Sequence, residues 1–316
     1  MDSILAGTMA DAMVRVTELT AIAASKEVGR GDEKKADQAA VDAMRTAFNA
    51  IDFQGRVVIG EGERDEAPML YIGEEVGTGK GPEIDIALDP LEGTTLTAKA
   101  MANALAVLAI APRGGLLYAP DTYMDKLAIG PGYPEGVVDL HATPAENVAE
   151  LAKAKGVDVS QITACVLDRT RHADIIESLR SAGVRIKLIT DGDVAGVIAT
   201  TDVSTGVDIY MGQGGAPEGV LAAAALKCVG GQMQGQLVFR NDEERARASR
   251  TGITDFDRTY SLNELASGET VFCASGVTDG DMLGGVKIVD GIVQTETLVM
   301  TSADGMVRRV VSRRPL

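Results

Sequence analysis

Three times between residues 162 and 227 the chain passes from a short apolar run, through a polar loop, into a helical pattern. Ile162 to Leu167 precedes Asp168-Arg169-Thr170-Arg171. Val184 to Ile189 precedes Thr190-Asp191-Gly192-Asp193. Val207 to Met211 precedes Gly212-Gln213-Gly214-Gly215-Ala216-Pro217-Glu218. Short apolar runs bounded by turn residues fit strands, and the stretches from His172, to Thr200 and to Lys227 fit helices. Such alternation is compatible with few folds. It argues for an α/β arrangement with a parallel or mostly parallel sheet. Right-handed crossovers would bring all three polar loops to one edge of that sheet, the edge where open α/β sheets bind ligands.

The first half has a different grammar. Met9, Met13, Val16, Leu19 and Ile22 recur at helical spacing, ending near Gly29 and Gly31. Ala36, Ala40, Ala43, Met44, Ala47 and Phe48 form a second stripe, with Asp37 in its first turn. Strands are expected at Gly55 to Gly60 and at Ile84 to Leu88, the latter stopped by Asp89-Pro90. Ala104 to Ala111 and Leu116 to Ala119 flank Pro112-Arg113-Gly114-Gly115, a hairpin signal. From about 269 the tail is strand-like, at Val271-Phe272-Cys273, Val286 to Val289 and Thr297 to Met300. This places a domain boundary near 145, giving residues 1–145 and 146–316, with the option that the tail strands pack back on the first domain.

Charge excludes several functions. Lys and Arg number 30 against 46 Asp and Glu, a formal net charge of −16. Nucleic-acid binding needs a basic face, and an anionic membrane repels an acidic chain, so neither partner is expected. No apolar run is long enough to span a bilayer, and the N-terminus lacks a basic-then-apolar export pattern. Cys165, Cys228 and Cys273 are scattered and odd in number, which reads as buried thiols in a reducing compartment, the cytoplasm. A phosphorylated substrate stays compatible, provided cations or local basic groups reverse the field.

The acids that matter are those at strand ends. Glu61 and Glu63 sit in Ile59-Gly60-Glu61-Gly62-Glu63, and Asp89 and Glu92 in Asp89-Pro90-Leu91-Glu92-Gly93-Thr94. Carboxylates gathered beside a packed core repel one another unless a cation sits among them. Oxygen ligands on short turns suit a hard divalent ion such as Mg²⁺ or Mn²⁺. Gly93 permits close backbone approach, and a helix starting at Thr94 would offer amides to an anion. An ordinary Pro-Gly turn with a capping Thr explains the same letters. The helix dipole likewise explains Glu218 at a helix start without any ligand. Arg169 and Arg171 suit bidentate phosphate binding, and Asp191 and Asp193 could accept bonds from sugar hydroxyls. His141 and His172 have no motif partner, and Gly77 to Gly81 reads as a plain loop because Pro82 follows.

Asp89-Pro90-Leu91-Glu92-Gly93-Thr94 is similar to the Asp-Pro-(Ile/Leu)-Asp-Gly-Thr motif of the lithium-sensitive, magnesium-dependent sugar and inositol phosphatases. The wider text resembles the class II fructose-1,6-bisphosphatases. It does so at Gly60 to Glu74, Asn103 to Ala109, Ala119 to Met124, Asp191 to Ala195 and Gly214 to Gly219, and over nearly the whole chain. The resemblance implies a layered αβαβα sugar-phosphatase fold, mixed α/β, with two mixed sheets. It implies two or more Mg²⁺ or Mn²⁺ ions held by Asp37, Glu61, Asp89, Glu92 and Glu218. Catalytic roles fall to Thr94, which orients the attacking water, and to Glu61. Glu92, Gly93 and Thr94 match contacts to the phosphate being cleaved. Tyr123, Arg169, Thr170, Arg171, Asp191, Gly192, Asp193 and Gly215 match substrate contacts. Residues 1–145 would then carry the metal and phosphate, and 146–316 the sugar.

Two departures stand out: Glu92 is one methylene longer than the broader group's Asp, and Arg169-Thr170 replaces the Lys-Pro of some members. The implied reaction is hydrolysis of the 1-phosphate of fructose 1,6-bisphosphate to fructose 6-phosphate, in gluconeogenesis, by a homodimer or homotetramer. The alternatives are a sedoheptulose 1,7-bisphosphatase or dual-specificity enzyme, and a catalytically silent metabolite or metal sensor on the same scaffold.

Overall fold

The computed structural model describes residues 5–62 and 69–315. In chain order its elements begin with α1 (Ala10–Ser25), α2 (Glu33–Phe48), β1 (Gln54–Ile59), β2 (Glu75–Val76), β3 (Glu83–Glu92), α3 (Thr94–Ala98) and β4 (Leu105–Pro112). Next come β5 (Tyr123–Ile129), α4 (Pro144–Lys155), β6 (Thr163–Leu167), α5 (Ala173–Ser181), β7 (Arg185–Ile189), α6 (Asp193–Ile198), β8 (Ile209–Gly215), α7 (Ala216–Val229), β9 (Gln232–Val238), α8 (Asp242–Arg250), β10 (Thr259–Ser261) and α9 (Leu262–Leu265). The chain ends with β11 (Val271–Gly276), β12 (Lys287–Val289), β13 (Ile292–Thr301) and β14 (Met306–Pro315). The fold is mixed α/β with two mixed sheets. It forms two compact units, Met1–Leu117 with Ser267–Leu316, and Tyr118–Ala266. No helix among the described residues is long and apolar enough to cross a membrane.

The first unit carries one sheet in the order β12-β13-β11-β4-β3-β1-β2, with β14 paired to β13. Only β1 and β3 run parallel. Met13 and Val16 of α1, Met44 and Phe48 of α2, and Val57, Ile86 and Leu108 of the sheet are buried in a single apolar core. Phe48 and Phe53 meet edge to face there, with centroids 6.0 Å apart. Asp32 caps α2 by accepting from the Lys35 amide, so the helix begins three residues before Ala36 and Asp37 lies one turn inside it. Asp85 shows what a satisfied buried acid looks like on β3. It accepts from Arg56 at 3.0 Å and from the Gly114 amide at 2.6 Å, and pairs with Arg113 at 3.7 Å.

Two local expectations fail here for identifiable reasons. Strand β3 does not stop at Asp89-Pro90 but runs on to Glu92, with the ladder to β4 slipping between Asp89 and Glu92. Pro90 has no N–H to donate, and a bulge lets the strand pass it. The hairpin after Pro112 does not form either. β4 lies between β3 and β11, a partner far along the chain, and the segment after Gly115 leaves the sheet. Its apolar letters reflect burial on both sides of β4, which periodicity cannot assign to a neighbour.

The second unit has the sheet order β10-β9-β5-β8-β6-β7. Strand β6 pairs parallel with β7 and with β8, and each is followed by its helix, as the three repeats of the pattern require. The remaining pairings are antiparallel. Helix α7 is buried on nearly every side, and its run of alanines lets it lie close to its neighbours. The boundary expected near 145 falls inside this unit, at α4. The pattern changes there because the βα units begin, but β5 already belongs to their sheet, as the edge-to-edge partner of β8. The tail strands join the first unit's sheet through β11.

Candidate functional site

Four of the expected acids belong to the first unit. Asp37 lies on α2, Glu61 follows β1, and Asp89 and Glu92 bracket the bulge of β3. Glu61 is positioned by its own backbone, whose amide donates to the Leu70 carbonyl at 3.1 Å. Gly60 is needed for that approach, since a Cβ there would lie 2.1 Å from the Leu70 carbonyl oxygen. Burial, and then the Asp37 carboxylate, push Glu61 up to about 8. Burial likewise raises Asp37. The Asp37 carboxylate therefore sits close enough to oppose the ionisation of Glu61, in surroundings that already disfavour charge on both. On the bulge, Asp89 accepts from the Leu91 amide at 3.0 Å, while Glu92 is buried.

Gly93 turns the chain with a left-handed φ of 93°, and Thr94 begins a helix. That helix is short. It has five residues, so its aligned peptide dipoles are few and the anion attraction expected of a helix start is small. Glu63 and its neighbours to Pro68 lie outside the described residues. Among the described residues, no group of three or more His, Cys, Asp or Glu side chains is drawn together tightly enough to hold an ion. The acids of the first unit meet as the Asp37–Glu61 pair and as the two arms of one bulge.

The second unit gathers its residues at one sheet edge, and register explains why. Parallel β6, β7 and β8 end together, so the loops bearing Arg169 to Arg171, Asp191 to Asp193 and Gly215 to Glu218 lie at that edge. Antiparallel β5 starts there, with Tyr123 opposite both Gly215 and Val238. Arg169, Thr170, Arg171 and Asp191 are exposed. Arg171 donates from Nε and Nη2 to the Gln213 carbonyl, at 3.1 and 2.8 Å, and its guanidinium lies 5.0 Å from the centre of the Tyr123 ring. Gly192 takes a left-handed φ of 81° to turn the chain into α6.

Asp193 is not a free sugar contact. It is buried and bonded to Lys126 at 2.5 Å, an ion pair with both side chains almost wholly out of solvent. Gly214 makes room for it, because a Cβ there would lie 2.0 Å from Asp193 Oδ2. Glu218 begins α7, folded back over Gly215, where a Cβ would meet its Oε2 at 1.9 Å. Burial, then the Asp193 carboxylate, raise Glu218 above its usual range, with Lys126 opposing them. Its Oε2 is buried with no hydrogen-bond partner among the described residues. An orphaned carboxylate oxygen and a carboxyl pair that resists ionisation both fit a cation better than they fit nothing.

Sequence reasoning left out three residues of this edge. Lys126 interrupts the apolar run of β5, and a lone cation in such a strand is a readable sign of a buried partner. His172, without a motif partner in the sequence, is buried, with Nδ1 donating to the Leu167 carbonyl and Nε2 accepting from the Gln213 amide, each at 2.8 Å. That pairing fixes the neutral tautomer and ties the Arg171 loop to β8. Glu244 carried no signal at all, since Asn241-Asp242-Glu243-Glu244 reads as a solvated helix start.

The profile of the family described as "Bacterial fructose-1,6-bisphosphatase, glpX-encoded" matches residues 7–314. A Synechococcus sp. (strain JA-3-3Ab) protein named D-fructose 1,6-bisphosphatase class 2/sedoheptulose 1,7-bisphosphatase is 46% identical over 323 residues, covering 94% of this chain and 93% of its own. A Prochlorococcus marinus (strain NATL1A) protein of the same name is 46% identical over 315 residues, covering 95% of this chain and 94% of its own.

Proposed function

The chain belongs to the bacterial fructose-1,6-bisphosphatase family of phosphoric monoester hydrolases, and from that premise we propose how its own residues remove the 1-phosphate of fructose 1,6-bisphosphate to leave fructose 6-phosphate. The observation that carries the reading is the Asp37–Glu61 pair. Two carboxyl groups that burial raises together, one of them raised further by its neighbour's charge, are well placed around a divalent cation.

Asp37, Glu61, Asp89, Glu92 and Glu218 would hold Mg²⁺ or Mn²⁺, two ions or more. Such ions, when bound, neutralise phosphoryl oxygens and make water a competent nucleophile at neutral pH. The chain's part is to place the reactants. Gly93 clears the backbone on the approach to the phosphate being cleaved, and Thr94 orients the attacking water through its hydroxyl. Glu92 and Gly93 contact the same phosphate. Arg169 and Arg171, with Thr170 between them, take the distal phosphate, and Tyr123 supports Arg171. Asp191, Gly192 and Gly215 line the sugar's place. Asp193, paired with Lys126, acts there by holding its loop. The buried, unbridged cysteines support a reducing compartment, the cytoplasm, and gluconeogenesis is the corresponding role. A homodimer or homotetramer is the expected assembly.

The relatives carry a double name that includes sedoheptulose 1,7-bisphosphatase, so activity on that sugar stays the alternative reading. A silent sensor is disfavoured because all five acids and Thr94 are retained. The test is phosphate release by purified protein from both sugar bisphosphates with Mn²⁺, for wild type and Glu61→Ala. Turnover that vanishes in the variant supports the assignment. Wild-type activity in Glu61→Ala would overturn it.

A further inference from the structure

At the second unit's edge, one arrangement of cations is not explained by charge alone. Arg240, just beyond the end of β9, brings its guanidinium to 5.0 Å from the centre of the Tyr123 ring. Arg171 stands at the same distance from the same ring. The two positive groups are thus at most about 10 Å apart, within roughly one Debye length at 0.1 M salt. Like charges brought to one ring repel, and a ring face repays each by only about 0.5–1 kcal/mol where solvent reaches it.

The position of Arg240 is built, not incidental. Glu244 is buried almost completely, yet it faces this arginine. One oxygen accepts from Arg240 Nε at 2.6 Å and forms an ion pair with Nη2 at 2.5 Å, and its other oxygen accepts from the Arg240 amide at 2.7 Å and lies 3.0 Å from the Thr122 hydroxyl. The single Thr122 hydroxyl proton is shared between that carboxylate and the Val238 carbonyl at 2.6 Å, so the residue before Tyr123 and the end of β9 meet at the same group. Asn241 caps α8 by accepting from the Glu244 amide, which fixes where Glu244 starts from. Burying a carboxylate costs several kcal/mol unless it is fully hydrogen-bonded, and here that cost is spent on fixing one exposed guanidinium. Arg171 is similarly committed through Nε and Nη2 to the Gln213 carbonyl. Each guanidinium is therefore held along one side, with its remaining Nη1 group outside those bonds. The exposed Asp121 carboxylate acts on Arg240 as well, and competes with an incoming anion without being buried against it.

We propose that Arg240 is the second arm of an arginine clamp on Tyr123, binding the distal phosphate of the sugar bisphosphate together with Arg171, and that Glu244 is the positioning residue that holds it there. Two planar forks around one phosphate satisfy it from two directions, which a single arginine cannot do. The inference rests on the bisphosphatase reading and deepens it, since it makes Arg240 a determinant of bisphosphate over monophosphate.

The experiment measures KM and kcat for Arg240→Met, Arg240→Lys and Glu244→Gln with fructose 1,6-bisphosphate and with fructose 1-phosphate, which lacks the distal group. Binding of fructose 6-phosphate is measured by calorimetry beside them. For Arg240→Met we expect KM for the bisphosphate to rise at least tenfold, with kcat within about twofold. The constants for fructose 1-phosphate should stay unchanged, and fructose 6-phosphate binding should weaken in parallel. Arg240→Lys should recover part of the loss, and Glu244→Gln should shift KM in the same direction. Unchanged bisphosphate KM in Arg240→Met overturns the clamp, as does an equal loss on both substrates, which would mark a merely structural residue. Failure of the parent reading looks different: wild type would then release no phosphate from the bisphosphate at all.

Discussion

Chelating divalent cations should make this protein's stability fall as pH rises through the neutral range, and Glu61 sets the size of the effect. An ordinary glutamic acid loses its proton near 4.5, whereas Glu61 holds it to about 8, because burial and the neighbouring Asp37 carboxylate both disfavour its charge. Between those values the folded state keeps a proton that the unfolded state has released. Stability then falls with pH, by about 1.4 kcal/mol per pH unit where the two states differ by one proton. Carried across the whole interval, this one group accounts for a loss on the order of 5 kcal/mol, fully retained below pH 4.5 and spent by pH 8. Divalent cations reverse the sign by stabilising the charged pair. A cation at about 100 times its dissociation constant returns about 2.7 kcal/mol. The assay is urea unfolding from pH 5 to pH 8 in chelator, for wild type and Glu61→Gln, repeated with Mn²⁺. The difference between the two proteins should slope downward with pH in chelator, and Mn²⁺ should raise wild type far more than Glu61→Gln. If wild type and Glu61→Gln ran parallel in chelator, the pair would not be electrostatically opposed, and the reason for placing a cation there would be gone.

Two further outcomes test the second unit. Lys126→Met should cost about 3–5 kcal/mol by stranding Asp193 in the interior, while Lys126→Met with Asp193→Leu should recover most of it; urea midpoints of the three proteins check this. His172 has the opposite pH sign to Glu61. Burial holds it below its ordinary 6.5, so the unfolded chain takes up the proton first, and the stability His172 contributes is complete above 6.5 and lost as pH falls below it. Wild type minus His172→Gln should show that acid-side decline in urea midpoints, and a flat difference would mean the ring is not held neutral.

What could be read from the sequence were features whose cause is local. Helices α1 and α2 announce themselves by apolar spacing, β6 to β8 by apolar runs cut off at polar loops, and the acids of β1 and β3 by standing at strand ends where a solvated acid has no reason to be. What could not be read has its cause elsewhere in the chain. The partner of β4 is β11, and nothing in Leu105 to Pro112 distinguishes that neighbour from a hairpin mate. Strand β9 alternates buried and half-buried residues, but its Gln and Gly letters hide the pattern. Strand β14 is mostly exposed and arginine-rich, and is a strand only because β13 pairs with it along its length.

The same division separates the residues of the site. A resemblance transfers a residue's role without its surroundings, and Asp193 shows what is lost in the transfer. Its position matches a substrate contact, yet its carboxylate is buried against Lys126, from a strand whose pairing partner is β8 and not the loop that carries it. Glu244 shows the converse. No pattern of letters marks it, because its reasons for being buried are a threonine just before β5 and an arginine just beyond β9. Both cases follow from one topological fact, the antiparallel insertion of β5 between β8 and β9. That insertion brings Tyr123 beside Gly215 on one flank and Val238 on the other, so cations from two different loops converge on a single ring. Strand order, which single-residue reading cannot supply, is therefore what draws Arg171 from one polar loop and Arg240 from beside an unremarkable helix start onto the same tyrosine.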